Sequence, residues 1–142
     1  MLLLVGTYDV GNIRAYKVTQ SYKRVDFELL LWLLEPFATI ITTPSILAEV
    51  SNHSGNANGR FGLSYFDFFV NRILIYTEVY PRSLEFVEHE AFRRLGLTDA
   101  GIIHAARRGN YLVLTDDLPL AVHAQELGAD AVNFTALREY WP

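Results

Sequence analysis

The stretch Leu95–Leu120, LGLTDAGIIHAARRGNYLVLTDDLPL, constrains the fold more than any other part of the chain, because it sets two strand-helix steps back to back. Thr98 reads as a helix N-cap with Asp99 in the first turn, Ile102, Ile103, Ala105 and Ala106 as the apolar face, and Gly109 as the stop. Tyr111 to Leu114 is wholly apolar, too short for a helix, and bounded by Gly109-Asn110 and Asp116-Asp117, which predicts a buried parallel strand. A second helix is predicted from Leu118 to Leu127, with Pro119 in its first turn and Gly128 past its end. Asp99 thus opens one helix, and Asp116 and Asp117 stand at the carboxyl end of the next strand. In open parallel sheets that end is where ligands bind.

The rest of the chain alternates in the same way. Met1–Val5 is apolar and ends at Gly6, too short for a membrane span or a signal-peptide core, and Gly6–Asn12 reads as a loop. A heavily buried helix is predicted from Val25 to Phe37, with Phe27, Leu30, Leu31 and Leu34 at helical spacing. The β-branched run Thr39–Thr42 predicts a strand. Thr43-Pro44 then caps and starts a helix to about His53, with Ile46, Leu47 and Val50 inward and Glu49 beside them. Residues 51–60, SNHSGNANGR, predict a loop; Phe61–Tyr76 predicts an aromatic helix with Phe66, Phe69, Val70 and Ile73 on one side. Tyr80–Ser83 reads as a turn, Leu84–Leu95 as a helix, Ala131–Phe134 as a last strand and Thr135–Tyr140 as a helical turn. Short apolar runs alternating with helices predict a single α/β domain over residues 1–142, with a parallel sheet sandwiched between helices.

Composition narrows the functions. The chain has no cysteine, so disulfides and thiolate metal sites are excluded. A net charge of -4 argues against general coating of nucleic acid, although a local basic patch could still guide a polyanion. With 51% hydrophobic residues the chain predicts a two-sided core or a partner interface, and a homodimer is the expected form. The four histidines are scattered without zinc spacing. No phosphate-binding glycine loop or Ser-His-Asp order is present.

What remains are acidic positions after strand ends: Glu49, Asp99 and the pair Asp116/Asp117. Right-handed crossovers would gather them at one sheet edge, where clustered carboxylates suit a hard cation such as Mg²⁺ or Mn²⁺. The plainer reading of each is a helix-start charge, a solvated surface or, for the Asp pair, a cap. Arg93-Arg94 and Arg107-Arg108 could line an RNA path or simply be solvated.

Three segments resemble the PIN-domain ribonucleases, a family that includes the toxins of many prokaryotic toxin-antitoxin pairs. TPSILAEVSN resembles the family segment whose helical Glu, here Glu49, is a metal-site carboxylate. LTDAGIIHAA resembles the one whose first-turn Asp, here Asp99, is another. LVLTDDLPL resembles the T-x-D-x-x-L segment, with Thr115 as supporting hydroxyl, Asp117 at the acidic position and Asp116 beside it as a cap or further ligand. The resemblance implies a three-layer α/β/α sandwich with a mainly parallel central sheet. It also implies a cytoplasmic, Mg²⁺- or Mn²⁺-dependent endoribonuclease in which Glu49, Asp99, Asp117 and Asp116 hold metal, with RNA as substrate and an antitoxin protein as partner. The family opens with a mid-sheet strand ending in a D-T-N-like motif, and no Asp of this chain matches it; Met1–Val5 resembles the helix just after that motif. The alternative is therefore a catalytically impaired PIN-like module that binds RNA or protein.

Overall fold

The computed structural model describes residues 1–55 and 62–141. It is mixed α/β and mostly helical, with its short strands in two two-stranded sheets. The chain divides into two compact units: Met1–Thr42 with Ile46–Thr77, and Thr43–Ser45 with Glu78–Pro142. Among the described residues no helix is long and apolar enough to cross a membrane.

The first unit opens with α1 (Leu2–Tyr8), so Gly6 to Tyr8 are helical and not the predicted loop. Gly6 is needed where it stands: a Cβ there would lie 2.3 Å from the ring of Phe27, so α1 packs directly on the buried face of α2 (Arg24–Leu34). A 3₁₀ segment (Val10–Ala15) leads towards α2, at whose start the Asp26 carboxylate accepts from the Lys23 backbone N–H. Only one side of α2 is covered. Phe27, Leu29 and Leu30 are buried, whereas Leu31 and Trp32 are 46% and 57% exposed, which corrects the expectation of a heavily buried helix.

The β-branched run yields the shorter strand β1 (Ile41–Thr42). Its partner β2 (Thr77–Glu78) is a strand the periodicity does not announce; the Thr77 N–H donates to Ile40 O at 3.0 Å. Helix α3 (Pro44–Ser54) starts at Pro44 as predicted and runs through Ser51–Ser54, part of the segment read as loop. The remainder of that loop, residues 56–60, lies outside the described residues, as does Phe61.

In α4 (Gly62–Ile73) the buried face is centred on Tyr65 and Phe69, with Phe66 and Ile73 of the predicted stripe packed against that core and Val70 outside it. Val70 is 54% exposed. Tyr65 and Phe69 form a core with Leu4 and Val5, against which Leu47, Val50, Phe66 and Ile73 pack.

The second unit holds the Leu95–Leu120 stretch. A 3₁₀ turn (Ser83–Glu85) and α5 (Glu90–Leu95) replace the continuous helix predicted over Leu84–Leu95. Phe86, between them, turns into the core instead. Helix α6 (Leu97–Gly109) is capped by Gly96 at φ 91°, two residues before the predicted cap Thr98, and Asp99 remains in its first turn. It stops on Asn110 in the left-handed region.

Strand β3 (Val113–Thr115) and strand β4 (Ala131–Asn133) are parallel, in the register Val113 to Ala131 and Thr115 to Asn133. Helix α7 (Leu118–Glu126) joins them, and α8 (Phe134–Arg138) follows β4 directly. The core here is built from Phe86, Ile103, Val113, Leu120 and a set of alanines on α5, α6, α7 and β4. Small side chains let these short helices approach the strand pair closely.

Candidate functional site

The carboxyl ends of β3 and β4 carry the polar residues of interest in the second unit. Parallel pairing puts Thr115 opposite Asn133, and both chains then turn at once into helices. Each turn is closed by a side-chain cap, because the first helical N–H groups have no partner within the helix. Asp117 Oδ1 accepts from Leu120 N at 3.0 Å, and Asn133 Oδ1 accepts from Ala136 N at 2.9 Å. The cap of α7 is thus Asp117, the residue read as the metal ligand, and not Asp116. Pro119 fits behind it because its missing N–H falls where none is needed.

The same residues tie the two strand ends together. The Asp117 N–H donates to Thr115 Oγ1 at 3.1 Å, so the Thr115 hydroxyl that was expected to support a ligand shapes the strand-to-helix turn. The Asp116 carboxylate accepts from the Thr135 hydroxyl, and the Asp116 carbonyl accepts from Asn133 Nδ2 at 3.3 Å. Asp116 and Asp117 are exposed and Asp99 is half-buried in the first turn of α6, in the same unit. Glu49 is exposed on α3 in the first unit.

These oxygen donors are of the hard type that Mg²⁺ or Mn²⁺ prefers. Yet in neither unit, among the described residues, do three His, Asp or Glu side chains stand close enough together to hold one ion. As arranged among the described residues, the carboxylates of either unit do not make a site for that cation. At the edge, exposed carboxylates stand on a frame of caps and cross-strand hydrogen bonds.

The cap is testable apart from any metal. Asp117→Ala should destabilise the protein by about 1 kcal/mol, the usual cost of a lost N-cap, whereas Asp117→Ser should stay within a few tenths of wild type in urea titration. Equal losses in the two variants would show that the Asp117 charge, not the cap, matters.

A second polar cluster lies on the same unit and was missed in the sequence, where Tyr80–Ser83 read only as a turn. Glu85 Oε1 accepts from Arg82 Nε at 3.0 Å and Nη2 at 2.8 Å; Oε2 lies 3.2 Å from His104 Nε2 and 3.3 Å from Arg108 Nη1. The hydrogen bond from Arg82 is the main influence holding the Glu85 carboxyl below its ordinary range; the Arg82 and Arg108 charges and the His104 contact add to it against partial burial. The i,i+3 spacing of Arg82 and Glu85 was the only signal available in the sequence.

His104 packs its ring 5.5 Å from that of Phe86. His123 is likewise engaged locally, its Nδ1 2.9 Å from Pro119 O. Comparison of the chain with protein-family models, with curated proteins and with solved structures gave no match.

Proposed function

We propose that this chain is a PIN-like, RNA-binding module whose acidic strand edge serves as structure, on a three-layer α/β/α plan. One observation carries this reading: the Asp117 and Asp116 carboxylates are engaged by Leu120 N and by the Thr135 hydroxyl, as parts of the turns that start α7 and α8. Affinity for RNA would come from the exposed arginines at the ends of α5 and α6, Arg93, Arg94, Arg107 and Arg108, since phosphate contacts dominate such binding.

The second reading is a Mg²⁺- or Mn²⁺-dependent endoribonuclease of PIN type, the toxin of a toxin-antitoxin pair. It is favoured by the convergence of Thr115, Asp116 and Asp117 with Asn133 at the carboxyl ends of adjacent parallel strands. Incubation with single-stranded RNA and Mn²⁺, alongside calorimetric titration of each, separates the two. The module binds RNA with a steep salt dependence, releases no cleavage products, and shows no Mn²⁺ uptake that Asp117→Asn removes. Mn²⁺-dependent cleavage abolished by Asp99→Asn would overturn it in favour of the enzyme.

A further inference from the structure

Arg82 and Arg108 both reach one carboxylate, that of Glu85, from two separate elements. Arg82 lies just before the 3₁₀ turn, and Arg108 lies in the last turn of α6. The Glu85 side chain is 21% exposed, so it sits recessed between them, while the two arginine side chains are 70% and 68% exposed. His104, at 18%, lies 3.2 Å from the same carboxylate through its Nε2.

A guanidinium carries five N–H donors. Arg82 commits two groups to Glu85 and Arg108 one, so most of their donors point outward. The local balance is two permanent positive charges against one negative, an excess that stands out in a chain of net charge -4. Two like charges held this close repel. The shared carboxylate offsets that repulsion and keeps both guanidinium groups beside it before any ligand arrives, which lowers the ordering cost of binding.

We propose that Arg82 and Arg108, braced by Glu85, form a binding site for a phosphoryl oxyanion. The ligand is either a free phosphate or a phosphodiester of a nucleic-acid backbone. Its oxygens take the outward guanidinium N–H groups in the forked geometry that Arg offers phosphate. Glu85 is a positioning residue that does not touch the ligand. The site lies towards the far end of α6 from Asp99, about 13 Å along the helix at about 1.5 Å per residue, so it stands or falls separately from the acidic edge.

The test is NMR titration of the full chain, following the Arg82 and Arg108 Nε–H signals and the amides of residues 82–85 and 104–108. The probes are inorganic phosphate and, separately, a dinucleoside phosphodiester without terminal phosphates. Saturable shifts are expected with phosphate. Arg108→Gln should weaken binding about tenfold, the worth of a charge-assisted hydrogen bond, whereas Arg24→Gln, at an exposed arginine paired with Glu28 on α2, should change it less than about twofold.

The deciding variant is Glu85→Gln. It makes the protein less negative, so a site that responds only to net charge would bind phosphate more tightly. Loss of the brace instead predicts about threefold weaker binding, from two guanidinium groups no longer held in place. Tighter binding in Glu85→Gln would overturn the bracing role, and failure of both probes to bind, or equal losses in Arg24→Gln and Arg108→Gln, would overturn the site. Binding of phosphate alone assigns a free phosphate ligand; binding of the diester as well assigns a nucleic-acid backbone. Unchanged thermal unfolding of Arg108→Gln keeps the comparison to binding.

Discussion

Tyr65→Ala is expected to destabilise the protein by about 3–5 kcal/mol, the range for removing a fully buried aromatic ring from a close-packed core. Tyr65 is 0% exposed and stands at the centre of the first unit's core, edge-on to Tyr8 and Phe66 and stacked on Phe69. The surrounding side chains refill such a space only in part. Tyr65→Phe separates the ring from its hydroxyl. The Tyr65 and Ser54 hydroxyls lie 3.0 Å apart, but Ser54 Oγ also reaches Val50 O at 2.8 Å, so the serine keeps a partner in the variant. The phenylalanine form should therefore lose only about 1 kcal/mol, the net worth of one hydrogen bond.

The two variants also differ in alkali. Burial pushes the Tyr65 phenol above its ordinary value of 10.0, against a smaller opposing effect of the Ser54 contact. The folded protein therefore holds that proton more tightly than the unfolded chain does. The associated stability is complete below pH 10 and declines as pH rises from there towards the folded value. Tyr65→Phe has no such group, so its urea midpoint should fall less steeply above pH 10 than that of wild type. The slope that remains comes in part from Tyr76, whose phenol burial also raises. Parallel slopes in the two proteins would show that Tyr65 ionises freely in the folded state.

Tyr65 also shows where the sequence could and could not be read. Its neighbours Phe66, Phe69, Val70 and Ile73 have the better helical spacing, and periodicity alone selects them. Tyr65 is buried because its hydroxyl finds Ser54 on α3, a tertiary partner that no local window contains. The β3–α7–β4 step was legible because every signal in it is local: a short apolar run, an acidic cap before Leu-Pro, and Gly128 after the helix. Even there, the choice between adjacent aspartates was not legible. Asp117 caps because it stands three residues before the N–H it accepts from, while Asp116, one residue earlier, turns to Thr135 on the far side of β4. The break at Phe86 has the same character. Helical spacing over Leu84–Leu95 is acceptable, but burying Phe86 in the core outweighs continuing the helix. The exposed side of α2 follows from packing as well, since spacing marks Leu31 and Trp32 as apolar without supplying anything to cover them.

Phe86→Ala should have an effect of similar size in the second unit, about 3–5 kcal/mol. Phe86 is 4% exposed, lies against the His104 ring, and presses its ring tip towards Gly101 of α6, where a Cβ would come within 3.3 Å of Cζ. The close approach makes the two positions a coupled pair. Gly101→Ala alone gains about 1 kcal/mol of helix propensity but must displace the Phe86 ring by a few tenths of an ångström, so its two contributions oppose each other. With the ring gone, the added methyl meets no obstacle and fills part of the cavity. Gly101→Ala should then be plainly stabilising in the Phe86→Ala background, with a coupling of about 0.5–3 kcal/mol across the double-mutant cycle. Additive energies would mean that α6 shifts to accommodate either change alone. Because the same residue orders the turn that carries Glu85, Phe86→Ala should also broaden the Arg82 and Arg108 Nε–H signals, and restoring Phe86 should sharpen them.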